Sequence, residues 1–224
     1  MKNRLFHLIL VLIIILSTGS GCALFNVLFQ IKEEKFAQEL ASDGMEAYQE
    51  GKYKDAIESF EKIKDWYPFS KYAILAELKI ADSHYKLKEY EEAVSAYEQF
   101  ENLHPLNDAI PYIIFQTGLC YFEQVDTSDR DQTRARKALE SFNRLIKQFP
   151  NSTYSAKARE YIAKCYKSLA ESELEIGIFY YKSKHYKAAL ERFKSLVINY
   201  PDVGVHQKAL QYIALCETLL SKQK

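Results

Sequence analysis

Glycine and proline are scarce in this 224-residue chain, at seven and five residues. A sheet protein of this length needs more turn residues between its strands, so the scarcity excludes most all-β arrangements and favours long helices. No run of like charge stands out and the formal net charge is 0, which argues against nucleic acid as the main partner. No H-E-x-x-H, P-loop or G-x-S-x-G pattern occurs, and the four cysteines form no C-x-x-C. Asp129 and Asp131 flank Arg130 in a polar stretch that reads as a salt-bridged loop rather than a carboxylate pair for acid–base work. Cys120, Cys165 and Cys216 each lie 15 residues after a proline, where the equivalent earlier residue is Ser83. Such equivalence reads as small, packed side chains. His84 and His104 occupy positions filled elsewhere by aromatic residues and read as packing variants. No catalytic residue, metal ligand set or cofactor is expected. What is plentiful is aromatic: 17 Tyr and 13 Phe, suited to packing between helices or to an aromatic groove.

The first 22 residues carry a different message. Lys2 and Arg4 precede an apolar run, Leu5 to Leu16, broken only by His7 and too short to span a bilayer comfortably. Small residues follow, then Cys22. A basic start, a short apolar core and small residues make a signal peptide. Ser20-Gly21-Cys22 resembles a bacterial lipobox, which implies cleavage before Cys22 and a covalent lipid on its thiol. Gly19 stands where such signals usually carry Leu, and an ordinary cleaved signal with an incidental cysteine is the alternative. Ala23 rather than Asp after the cysteine implies the outer membrane. The expected division is 1–21 signal peptide, 22–31 lipidated N-terminus and tether, and 32–224 repeat domain.

Four prolines, Pro68, Pro105, Pro150 and Pro201, share one upstream environment. Twelve residues before each is Ala56, Ala93, Ala138 or Ala189; eight before is Phe60, Tyr97, Phe142 or Phe193; five before is Ile63, Phe100, Leu145 or Leu196. These offsets trace one helix face. Thirteen residues after each proline is a small residue, Ala81, Gly118, Ala163 or Ala214. A small residue in one helix, Ala and an aromatic in the next, then Pro, is the tetratricopeptide order. The expected fold is all-α: a tetratricopeptide-type solenoid of four full helix pairs plus a closing helix over 205–222, with N-terminal repeats at 32–105 and C-terminal repeats at 106–224. The prolines are 37, 45 and 51 residues apart, against about 34 in the ideal repeat. Eight extra residues in the third unit fall at 126–131, read as a loop. Fourteen extra residues in the fourth, between Ala163 and Ala189, amount to about four helical turns. With Gly177 the only breaker from Tyr154 to Tyr181, they predict one long helix projecting from the stack.

Several segments carry a family resemblance: Tyr67-Pro68-Phe69-Ser70-Lys71-Tyr72, then His104-Pro105, Pro111-Tyr112, Gly118-Leu119, Asp129-Arg130-Asp131, Ala135 with Ala138, Phe149 to Tyr154, Tyr180-Tyr181 and Tyr200-Pro201-Asp202. In this order they resemble the BamD (ComL) family, the lipoproteins of the β-barrel assembly machinery, over about residues 40–202. The resemblance implies a non-enzymatic scaffold, lipid-anchored at the periplasmic face of the outer membrane. Its implied partners are the periplasmic domains of BamA, unfolded outer-membrane β-barrel precursors and other assembly lipoproteins. It implies precursor binding in an aromatic groove at Tyr67, Phe69, Ser70 and Tyr72, with the helix carrying Tyr48 beside it, although Tyr67 and Phe69 could equally staple one repeat to the next. It implies a BamA contact at Arg192, pointing away from the core because Phe193 points in. A periplasmic tetratricopeptide adaptor of another envelope or cell-division complex is the alternative. Family members usually carry a complete fifth repeat, so one closing helix puts contacts to accessory lipoproteins in doubt.

Overall fold

The structure is a computed structural model that describes residues 36–125 and 132–222. Cys22, the tether at 22–31 and the loop at 126–131 lie outside the described residues. Every regular element among those described is a helix: α1 (36–49), α2 (Tyr53–Trp66), α3 (Ala73–Lys86), α4 (Tyr90–Leu103), α5 (Ile110–Phe122), α6 (Thr133–Gln148), α7 (Thr153–Lys182), α8 (Tyr186–Asn199) and α9 (His206–Ser221). This is the expected set of four pairs and a closing helix, the tetratricopeptide-type fold. The chain divides into two compact units, one up to Leu87 holding α1–α3 and one from Lys88 holding α4–α9.

The periodic face is the buried face. Ala56, Phe60, Ile63, Ala93, Tyr97, Ala138, Phe142, Leu145, Ala189, Phe193 and Leu196 are all fully buried. Phe60, Phe142 and Phe193 each fill the space left by a glycine on the preceding helix. A Cβ added to Gly44 would lie 2.8 Å from the Phe60 ring, one on Gly118 2.6 Å from Phe142, and one on Gly177 2.5 Å from Phe193.

Gly177 corrects the reading of the fourth unit. Its partner across the interface is Phe193, whereas Ala163 is exposed. The step from Gly177 to Ala189 equals that from Gly44 to Ala56, twelve residues, so the packing register is kept and the extra residues lengthen α7 at its start. Nor does α7 project. Its 30 residues bury Ser155, Ala158, Cys165, Leu169, Ala170, Leu174 and Gly177. Tyr161 near its start stacks on Phe142 at 5.4 Å and meets Phe115 and Phe122 edge-on at 5.8 and 5.1 Å. Its later half joins Phe193, Leu196, Ala209 and Cys216 in a second core. These ring contacts account for the abundance of aromatics in unit 2.

Two turn types repeat. The turn into α2 uses Gly51 at φ 78° and the turn into α8 uses Lys184 at φ 60°. Both stand five residues before the repeat alanine and have matching bonds: Gly51 N–H to Tyr48 O at 3.1 Å, Lys184 N–H to Tyr181 O at 3.0 Å. Lys88, at φ 62°, occupies the same place ahead of Ala93. The proline turns are equally regular. Tyr67, His104 and Phe149 cap α2, α4 and α6 at φ near −130° and ψ of 50–61°, outside the helical region that a following proline disfavours. Two residues beyond each proline, Ser70, Asn107 or Ser152 accepts a backbone N–H through its side-chain oxygen, from Tyr72 at 3.3 Å, Ala109 at 2.9 Å and Tyr154 at 3.2 Å. This satisfies one of the orphan donors at the next helix start.

Candidate binding surfaces

Four of the five expected groove residues share the α2–α3 turn. Tyr67 is half-buried and its N–H donates to Ile63 O at 2.9 Å. Ser70 is committed to the turn just described. Tyr72 packs against the unit 1 core formed by Ala41, Ala56, Phe60, Ile63, Ala76 and Ile80, with Lys71 Nζ 5.0 Å from its ring centroid. Phe69 differs from these: at 101% relative exposure its ring is turned wholly outward. Trp66, which sequence reasoning passed over, stands two residues before the proline at 62% exposure. The signal that could have found it is a large apolar residue outside the Ala56, Phe60 and Ile63 stripe.

Tyr48 lies elsewhere. It ends α1 beside Tyr53 at the start of α2, with the two rings edge-to-face at 5.4 Å. Lys79 Nζ sits 4.6 Å from the Tyr48 ring and donates to Asp82 Oδ2 at 2.8 Å. Burial first, then the Asp82 carboxylate, push the Tyr48 phenol up to about 12. The whole of α2, 14 residues and so about 21 Å of helix, separates this end of unit 1 from Tyr67. The five residues therefore form an aromatic turn and a separate Tyr48–Lys79–Asp82 cluster, and not one groove.

Arg192 occupies the outer side of α8. Its Nη1 donates to Glu173 Oε2 on α7 at 3.1 Å, with the guanidinium side chain 45% exposed and the carboxylate side chain 15% exposed. Phe193 beside it is fully buried, so Arg192 points away from the core as expected. Cys120, Cys165 and Cys216 are buried and unbridged. Burial pushes the thiols of Cys120 and Cys165 up to about 12 and raises that of Cys216. Unit 2 also holds an open cavity of about 720 Å³ between the end of α5, the middle of α7 and the start of α9. Its floor is apolar, with Phe122, Leu174 and Val205, and its walls mix lysine with glutamate. Among the described residues no group of His, Cys, Asp or Glu could hold a metal ion, and no helix is long and apolar enough to cross a membrane.

Comparison with known proteins adds identity to this geometry. Residues 33–224 match the YfiO family model, described as outer membrane lipoprotein. The outer membrane protein assembly factor BamD of Rickettsia prowazekii is 34% identical, over 78% of this chain and 72% of its own. BamD of Neisseria gonorrhoeae is 28% identical over 86% and 76%. BamD of Caulobacter vibrioides is 29% identical over 75% of this chain, which spans 55% of that protein's length. Among solved structures, a tetratricopeptide-repeat protein of Thermus thermophilus aligns with 80% of this chain and 99% of its own at 15% identity and a TM-score of 0.43. The chain belongs to the YfiO, or BamD-like, family of outer membrane lipoproteins.

Proposed function

We propose that this chain is an outer-membrane protein assembly factor that acts by binding alone. The observation that carries the reading is the family match over residues 33–224, shared with relatives that bear that name. The lipid on Cys22 holds the chain at the periplasmic face of the outer membrane. Unit 2 docks on BamA through the α8 surface around Arg192, where an acidic partner residue competes with Glu173 for the guanidinium. Unit 1 meets unfolded β-barrel precursors, whose aromatic and apolar terminal strands suit its tyrosine-rich surface.

Depletion of the chain in its own host tests the role. Outer-membrane barrel proteins are expected to fall, and BamA is expected to dominate the proteins that co-purify from solubilised membranes. Unchanged barrel levels would refute the assembly role. A different dominant partner would favour an adaptor of another envelope complex.

A further inference from the structure

Unit 1 segregates its exposed apolar surface to one end. Its exposed large hydrophobic residues, among those described, are Phe36 (43%), Trp66 (62%), Phe69 (101%) and Ile74 (42%). Phe36 is the first described residue of α1, Trp66 closes α2, Phe69 lies in the next turn and Ile74 is in the first turn of α3. A three-residue connection makes α1 and α2 antiparallel neighbours; Phe36 stands 13 residues before the end of α1 and Trp66 13 residues after the start of α2, so the two lie side by side. The α2–α3 turn and the start of α3 share that end. The opposite end, with Tyr48 and Lys79, exposes no large apolar side chain among the described residues.

We propose that this aromatic end of unit 1 is a membrane-contact surface, with Trp66 and Phe69 seated in the headgroup region of the membrane that holds the chain's own lipid. The inference rests on the lipid anchor at Cys22. Thirteen residues separate Cys22 from Phe36, a length that spans at most about 45 Å. The end of unit 1 that meets the tether is therefore held at high local concentration near the bilayer. The shape favours lipid over peptide. An extended peptide docks by adding to a sheet edge or lying in a groove; every described regular element is a helix, and Phe69 is a fully exposed knob. A knob of Trp and Phe, with the exposed Lys71 alongside, suits a fluid interface where aromatic rings lie at headgroup level and a lysine reaches phosphate.

Trp66 is the only tryptophan in the chain, so its fluorescence reports this surface without labelling. The full chain, its N-terminal acylation verified by mass spectrometry, is reconstituted into vesicles of phosphatidylethanolamine and phosphatidylglycerol. A parallel set contains lipid brominated near the headgroup end of the acyl chain. Trp66 emission is expected to shift to the blue and to be quenched by the brominated lipid. Phe69→Glu is expected to weaken that quenching about twofold or more, with the helical circular dichroism unchanged because Phe69 packs against nothing. Acylated protein that sediments with vesicles while Trp66 stays fully open to aqueous acrylamide would overturn the proposal. Shielding of Trp66 only when a peptide with an aromatic terminal strand is added would overturn it too, and assign the surface to precursor. Protein purified from its host's membranes with no acyl group on Cys22 would remove the anchor on which the proposal rests and overturn it.

Discussion

Substituting Gly177 tests the packing register of the fourth repeat most directly. The added Cβ would lie 2.5 Å from Phe193 Cε1 and 2.8 Å from Cδ1, where carbon atoms prefer about 3.5–4.0 Å. The ring must move by roughly 1 Å, yet Phe193 is fully buried and stacked on Tyr212 at 5.0 Å. Overpacking of this kind costs about 1–3 kcal/mol, while alanine in place of glycine inside a helix returns about 1 kcal/mol. Gly177→Ala is thus expected to lose up to about 2 kcal/mol in urea unfolding followed by far-ultraviolet circular dichroism. Ala163→Leu, at the exposed site that spacing from Pro150 picks out, is expected to stay within about 0.5 kcal/mol of the parent. Phe193→Leu makes room, so the double variant should show a coupling of about 1 kcal/mol relative to the two singles. A Gly177→Ala protein more stable than the parent, or an Ala163→Leu protein as damaged as Gly177→Ala is expected to be, would refute the register.

Lys184→Gly is expected to raise the urea midpoint by the equivalent of about 0.5–1 kcal/mol, because φ of 60° strains a side-chain-bearing residue; no gain would mean that the turn relaxes in solution. The thiols of Cys120, Cys165 and Cys216 are expected to resist an aromatic disulfide reagent at neutral pH until the chain unfolds, and rapid labelling of the native protein would contradict their burial. Their raised values also set a pH dependence. An unfolded thiol ionises near 9 and the folded Cys120 and Cys165 near 12. The stability they contribute is therefore complete below pH 9 and is lost as pH climbs toward 12, measurable as a falling urea midpoint over that window. Arg192→Gln is expected to weaken BamA binding in a pull-down while costing no more than about 1 kcal/mol of stability, since the Glu173 pair is partly exposed. Unaltered BamA capture would move the contact elsewhere.

How much of this was legible depends on what spacing can encode. The Ala, aromatic and Pro offsets follow a helical period, and a period reports which face is buried, so the buried stripe of every second helix could be read directly. An insertion inside a continuous helix leaves no such mark. Ala163 and Gly177 are both small, and proline counting favours Ala163; only the position of Phe193 across the interface picks Gly177. Tyr48 failed for a related reason. Proximity along the repeat says which helices are neighbours, while their antiparallel course decides which ends meet, and that course puts Tyr48 a full helix length from Tyr67. The left-handed turn positions were hidden because Lys88 and Lys184 hold places where glycine, as at Gly51, would have announced the turn.

The inter-repeat turns separate what the fold requires from what it does not. The turns after Pro68, Pro105 and Pro150 share one hydrogen-bond pattern, with Ser70, Asn107 and Ser152 in the same role. Their flanking residues diverge. Trp66 and Phe69 flank the first, and Leu103 and Leu106 the second, all exposed; Gln148 and Asn151 flank the third and are exposed as well. Because the third turn closes with the same geometry on polar residues, the apolar pairs in the first two are not needed to make the turn. A buried apolar residue explains itself by packing, but Phe69 and Leu106, at 101% and 97% exposure, gain nothing from the fold and carry an aggregation hazard. Their presence in the first two turns and not the third marks these N-terminal turns as contact surfaces, and makes Phe69 the residue at which a loss of function without a loss of stability is most expected.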